Sequence, residues 1–527
     1  DAVDGRLDAA ADVVADLAFW WSLRGRCREG LAVAARLTAA LAARGRRPTA
    51  RLRWAHAFQA VYAGDLVGGL GLAAELADEP DAADDVRARA LILLGMAQAF
   101  DDPGAAQPVV ASAAELAGHA GDRWAEVEAL QVLAYTHLWL GDQVAAIACA
   151  DAALPALEQL GHHQLRAWDA AIRAEDARLR GDVPAVLRHG NAGWALAVEV
   201  GEPVSATGAL APVVRTLCRA GRHDEAAELT ARHAAFLDEH PGLGTIELLE
   251  LCRAHVAVWS TPGTAGDPIA ALVDAAAGGG LSLVAAEAGV LEACARLVVG
   301  QPERALAAAD RAREQARTAG ALDALQAAGL ARCVARHRAG ADTGSALAEA
   351  HDVLVACHAA GYAPLVIDAL DVVAGLVLDA GRVETAIRLQ AAATAARARL
   401  GFAPAPVTRG FPDAAATDTL DAEVRERART EGASLDLDAA VAYAHRSRGP
   451  RRRPTSGWES LTPTERDVVA LAARGLRNQA IADQLLIGTG TVRTHLRRIF
   501  AKLDLTSRAE LAARVGALRA GEHFRVL

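Results

Sequence analysis

The chain has 527 residues, 52% of them hydrophobic but only 4% aromatic, with a formal net charge of −10. That length exceeds one ordinary core and calls for two or more domains, and a composition led by alanine and leucine favours packed helices over sheets. The acidic total excludes a protein coated throughout by nucleic acid, but residues 451–527 hold 14 Arg/Lys against 7 Asp/Glu, a net of +7 that leaves −17 for the rest; a small basic module on a large acidic body is the charge pattern of a nucleic-acid reader joined to something else.

The first residues, DAVDGRLDAAADVV, lack a basic n-region, so no signal peptide is expected. They also lack an initiator methionine, as a fragment or a processed chain would. No apolar run reaches the ~18 residues of a membrane span. The seven cysteines (27, 149, 218, 252, 294, 333, 357) are scattered and form no CxxC pair. They read as reduced, buried small hydrophobes of a cytoplasmic protein.

Along the first 400 residues turns recur at Gly25, Gly64, Gly104, Gly141, Gly181, Gly221, Gly263, Gly300, Gly340 and Gly381. Each follows one helix-length apolar stretch and precedes another, as EALQVLAYTHLWLGD precedes QVAAIACADAALPALEQLG. A glycine closing one helix and a polar residue opening the next make a helical hairpin. A fixed period near forty means a solenoid of about ten such hairpins, each burying its apolar face on the next. The pattern resembles tetratricopeptide repeats with helices lengthened by about a turn. Such an array presents a concave surface for a protein, a peptide or a small effector; the bland alternative is a spacer.

Motifs of chemistry are missing. GGLGLAAEL (68–76) contains GxGxxA, but a helical segment precedes it where a dinucleotide site needs a strand. Lys502 is the only lysine, so a P-loop cannot be written from this chain. There is no HExxH and no GxSxG; His351 and His358 lie too far apart for a two-histidine metal face, and His162–His163 sits in a turn. No catalytic residue, metal or cofactor is expected, and the chain reads as a non-enzyme.

A helix at 437–446 leads to SRGPRRRPTSGWES, a proline-, glycine- and arginine-rich linker whose arginines are either solvated or added phosphate contacts. Thr462-Pro463-Thr464-Glu465 then reads as a capping box. The helix that follows carries Val468, Val469, Leu471 and Ala472 on one side and ends at Gly475. Asn478 caps a second helix with Ile481, Leu485 and Leu486 apolar. A tight turn at Ile487-Gly488 leads into TVRTHLRRIFAKL, where Val492, Leu496, Ile499 and Leu503 form a core face and Arg493, Thr494, Arg497 and Arg498 point away from it. A fourth helix opens at Ser507. A basic run on a helix is by itself only a solvated face. Here it sits on the helix that the turn sets outermost, which makes a helix-turn-helix.

Residues 461–515 closely resemble the LuxR-type DNA-binding domain, a four-helix module, through LTPTE, Gly475, Asn478, IA at 481–482, TV at 491–492, His495, Ile499, KL at 502–503 and SR at 507–508. The resemblance implies double-stranded DNA as partner, the third helix in the major groove, and a homodimer on DNA formed through the fourth helix. Carried over by position, it implies Arg493, Thr494 and Arg497 facing bases. It places Thr491, His495, Arg498 and Lys502 near phosphates, with Asn478 and Thr489 at the two helix starts. Where the family has serine and a polar or basic residue, this chain has Gly488 and Gly490, so Thr489 is left to cap. Glycines inside a helix cost ~1 kcal/mol each, and a first turn frayed until it meets DNA is expected. Asp504 stands where the family favours glycine.

Upstream, LAFWWSLRGRCREGL (17–31) and RLQAAATAARARLGFAPAP (388–406) resemble the segment after the nucleotide-binding module and the last repeat of large ATP-binding LuxR regulators. This sequence lacks the ATPase module itself. The resulting expectation is all-α: a tetratricopeptide-like hairpin solenoid over 1–400, terminal helices and linker over 401–457, and a LuxR-type domain over 458–527. The function expected is sequence-specific DNA binding with an effector or protein partner on the array and no membrane association. The rival is an interaction scaffold whose terminal module mainly dimerises.

Overall fold

The structure is a computed structural model. It describes residues 2–23, 26–240, 245–416, 419–447, 463–473, 476–485, 488–503, 505, 507–508 and 510–511. Thr462, Gly475, Leu486, Ile487, Asp504, the linker from 448 to 460 and most of the fourth C-terminal helix lie outside these residues. The chain divides into two compact units, Asp1–Ser447 and Arg448–Leu527. Among the described residues every regular element is a helix.

The first unit opens with α1 (Ala2–Asp16), α2 (Ala18–Leu23) and α3 (Cys27–Ala42). Nine hairpins follow. The first four are α4 (Ala50–Ala63) with α5 (Leu66–Ala77), α6 (Asp84–Ala99) with α7 (Pro103–Ala120), α8 (Arg123–Leu140) with α9 (Gln143–Leu160), and α10 (His163–Arg180) with α11 (Val183–Val200). Next come α12 (Pro203–Arg219) with α13 (His223–Glu239), α14 (Thr245–Ser260) with α15 (Pro262–Gly278), and α16 (Ser282–Val298) with α17 (Pro302–Thr318). The last two are α18 (Leu322–Arg338) with α19 (Thr343–Ala359) and α20 (Ala363–Asp379) with α21 (Val383–Leu400). Each even helix packs on the next even helix as well as on both flanking odd ones. The even helices are therefore the inner layer and the odd ones the outer. Burial agrees: α12 buries 13 of its 17 residues and α13 only four of 17.

The turns explain the regularity. Gly141 ends α8 in the left-handed region at φ 87, and the next residue, Asp142, caps α9 by accepting from the Ala145 N–H at 2.9 Å. Gly64-Asp65, Gly121-Asp122 and Gly181-Asp182 repeat this pairing, so two residues stop one helix and start another. The left-handed glycines recur every 20 residues from Gly121 to Gly221. That is half the period read from the sequence, because the return turns at Gly121, Gly161 and Gly201 also use glycine. Gly104 and Gly263 are not turn glycines; each lies one residue inside its outer helix, behind an N-terminal proline.

The array coils until its middle hairpins meet its last ones. A Cβ on Gly141 would come within 2.4 Å of Leu322 and 3.0 Å of the Tyr362 hydroxyl, so the α8–α9 turn lies against the starts of α18 and α20. Gln143 donates to the Ala360 carbonyl at 2.7 Å, and Arg219 forms a bidentate pair with Asp368 at 3.1 and 2.7 Å. The chain after α21 returns across the inner layer: Ala403 N–H donates to Arg219 O at 2.7 Å, and a short 3-10 turn at Pro406–Thr408 packs on α16, α18 and α20. Two further helices, α22 (Ala422–Ala433) and α23 (Leu437–Arg446), pack on the last hairpins. The seven cysteines are free, and six are buried. No helix of the described residues is long and apolar enough to cross a membrane.

Candidate nucleic-acid interface

The second unit contains α24 (Pro463–Ala473), α25 (Asn478–Leu485) and α26 (Thr489–Leu503). Its core is made by Val468, Val469 and Ala472 of α24, Ile481 and Ala482 of α25, and Val492, Leu496, Ile499 and Leu503 of α26. Residues at i, i+4, i+7 and i+11 fall on one face of a helix, and this face of α26 is buried: Val492 and Ile499 are wholly covered. Leu511 closes the cluster, and the Ser507 hydroxyl accepts from the Glu510 N–H at 3.2 Å, the cap expected at the start of the fourth helix.

The opposite face of α26 exposes Thr491, Arg493, Arg497 and Arg498. None of these three arginines has an ion pair among the described residues. Thr494 is half-buried, and its hydroxyl donates to the Gly490 carbonyl at 3.0 Å. His495 is half-buried too, and its Nδ1 is covered without a hydrogen-bond partner, so only the Nε2 edge is left to meet a ligand.

Two expected caps are displaced by one residue. The Thr491 and Val492 N–H groups donate to the Gly488 carbonyl at 2.9 and 3.1 Å, so Gly488 holds the cap position and Thr489 is the first helical residue. A glycine cap falls only a few tenths of a kcal/mol short of serine. The expected frayed start is instead helical from Thr489, helped by the Thr494 hydroxyl bonding back to the first turn. Gly490 is exposed inside that turn, with nothing within 4 Å of an added Cβ. Likewise Ile481 N–H donates to Arg477 O at 3.1 Å, so α25 begins at Asn478 with Arg477 as its cap residue.

Two charged residues serve the module's interior. The Lys502 ammonium meets the Glu465 carboxylate at 2.7 Å, joining the end of α26 to the first turn of α24; Glu465 is 2% exposed. Arg508 binds the Asn478 Oδ1 at 2.9 Å and the Leu476 carbonyl, and ties the fourth helix to the start of α25. Toward a phosphate, which only accepts, Asn478 offers its amide N–H groups. Sequence reasoning had no role for Arg508 beyond its place in the motif. Its spacing from Asn478, 30 residues, carries no helical signal.

Two helices three residues apart in the chain, the second bearing unpaired arginines outward, have the arrangement of a helix-turn-helix of the DNA-binding type. Residues 459–515 match the model of bacterial regulatory proteins of the luxR family, and the chain carries a LuxR-family DNA-binding domain at this end. It is 44% identical over 156 residues to proteins named as HTH-type transcriptional regulators in Mycobacterium bovis and Mycobacterium tuberculosis, covering 28% of this chain and 18% of each relative. The matched stretch thus spans under a fifth of those relatives' length. Over 52 residues, 10% of this chain, it is 46% identical to the nitrate/nitrite response regulator protein NarL of Escherichia coli, 24% of which is covered.

Proposed function

We propose that this chain is a transcription regulator that reads DNA with α26 and holds a small effector inside its helical array. The observation that carries the first part is the unpaired trio Arg493, Arg497 and Arg498 on the face opposite a fully buried stripe. Arg493 and Arg497 lie one turn apart and reach base edges in the major groove, where a bidentate arginine selects guanine. Thr494, its hydroxyl proton spent on Gly490, offers a methyl group and lone pairs. Thr491, Arg498, Thr489, the Asn478 amide and the His495 Nε2 edge meet the phosphates. Lys502 adds a weaker phosphate contact, since Glu465 already holds its charge. Two copies bind one site as a homodimer.

Support for the second part is the coiling of the array, which brings its middle hairpins against its last ones and leaves a partly open lumen on its concave side. A cavity of about 150 Å³ there suits a small molecule. The experiment is selection of DNA from a random pool by the full chain, followed by binding measured against salt. A defined site should emerge. Arg498→Ala should weaken selected and random DNA alike and make the salt slope shallower by about one. Failure to prefer any sequence, with the module still pairing with a second copy, would leave a dimerising scaffold instead.

A further inference from the structure

One cavity in the lumen of the first unit is one-sided in charge. Five carboxylates, from Glu128, Glu175, Glu202, Glu287 and Asp323, line it, against one cation, Arg215. Four of the five are already answered. Glu175 holds Arg178 through two bonds of 2.9 and 2.6 Å, and Arg178 also reaches Asp323 at 2.9 Å. Glu287 takes Arg215 at 2.7 Å and the His255 Nε2 at 2.7 Å. Glu202 caps α12, accepting from the Val204 and Ser205 N–H groups at 3.0 and 2.7 Å.

Glu128 is the exception. It faces the cavity with no hydrogen bond or ion pair among the described residues. The cation whose field reaches it, Arg89, is bound to Asp122 at 2.8 Å and lies over the Trp54 ring at 5.1 Å. Burial pushes the Glu128 carboxyl up to about 8, against the pull of Arg89. A carboxyl so placed gains its missing partner when a cation arrives. The cavity walls beside it are aromatic: Tyr62, Phe100, Tyr135, Trp139 and Trp168. Tyr135 sits edge-on to Trp168 at 5.3 Å and beside Trp139 at 5.5 Å, so the rings form one continuous lining. Rings with a carboxylate at one end are what an organic ammonium ion requires, and a cavity of about 150 Å³ is large enough for a benzene-sized body.

We propose that the lumen binds a small arylalkyl ammonium ion, about the size of benzylamine, with its charged nitrogen on Glu128 and its ring among Tyr135, Trp139 and Trp168. This rests on the lumen being the effector site. Calorimetric titration of the full chain with benzylamine, benzyl alcohol and benzoate tests it near neutral pH. Benzylamine should bind about tenfold or more tightly than the alcohol, as a charge-assisted bond allows, and benzoate should not compete. Glu128→Gln should bring amine and alcohol to within about twofold while leaving alcohol binding and the unfolding temperature unchanged; Glu128→Asp should keep part of the preference. Equal binding of amine and alcohol by the parent chain, or an unchanged ratio in Glu128→Gln, overturns the ligand class but leaves the lumen as a binding site. No binding by any of the three overturns both.

Discussion

Arginine does opposite things around the array's lumen and on α26. Around the lumen it is consumed by the fold. Arg219 is held by Asp368 and lies over the Trp259 and Phe402 rings at 5.9 and 5.7 Å. Arg178 and Arg215 join helices α10, α12, α16 and α18 across the lumen. On α26, three arginines within six residues have no acidic partner among the described residues. The difference teaches that a count of basic residues says little about nucleic acid; what matters is whether the fold has already neutralised them. An unpaired, exposed guanidinium is free to displace counterions from a phosphate backbone. A paired, covered one is a structural strut.

The largest test of this contrast removes a strut. Arg215→Ala takes the 2.7 Å guanidinium contact from Glu287, leaving it the His255 imidazole, and a 3.5 Å contact from Glu175, which keeps Arg178; breaking a buried pair costs up to about 3–5 kcal/mol. Thermal unfolding of the full chain should show the array melting earlier, with DNA binding by the C-terminal module intact at low temperature; an unchanged melt would mean the network is incidental.

Acid should likewise reach the array first. Trp194 Nε1 donates to His233 Nδ1 at 3.3 Å, and His233 Nε2 meets the Thr207 hydroxyl at 2.8 Å, which itself donates to the Pro203 carbonyl at 2.8 Å. Burial lowers the His233 pKa from 6.5 to about 4. The folded pKa lies below the unfolded one, so the unfolded chain takes up the proton first. Stability is therefore full above about 6.5 and falls as pH drops towards about 4, by up to about 3 kcal/mol. Melting followed across that window should show this slope, and His233→Gln should flatten it.

Within the second unit, Lys502→Ala removes a charged partner from the covered Glu465 carboxylate and should cost up to about 2 kcal/mol, less than a fully buried pair because Lys502 is partly exposed. DNA binding should then fall with stability, for every sequence alike; lost affinity without lost stability would restore Lys502 as chiefly a phosphate ligand. Arg493→Ala and Arg497→Ala should do the reverse, leaving the melt unchanged while removing about 1–3 kcal/mol of preference for the selected site. Smallest is Gly490→Ala, which should stabilise α26 by about 1 kcal/mol, visible as a raised unfolding midpoint, since the site is exposed and a Cβ meets nothing.

The helix-turn-helix was legible because its signals are local. Val492, Leu496, Ile499 and Leu503 repeat at helical spacing, and the arginines fall between them. The caps were read one residue late at Asn478 and Thr489 because capping depends on which carbonyl receives the first N–H groups, and neighbouring polar residues look alike. The pairing of Lys502 with Glu465 was not legible, because the two lie 37 positions apart with no sequence relation. The array's hairpins were legible through the glycine and aspartate turns, but half of the turns went unread. Gly121, Gly161 and Gly201 follow helices whose ends resemble their middles in composition.

What the sequence determined by itself is therefore everything set within about one turn of chain: helix, turn, amphipathic face, and the family motif of the last domain. Only the tertiary structure decided which charges are spent. Ion pairs such as Arg219–Asp368, 149 residues apart, form because the array's small per-repeat rotation accumulates until distant helices meet. That closure turns a concave face into a lumen and leaves Glu128 unanswered inside it. No local pattern encodes it, since it is a sum over many hairpins.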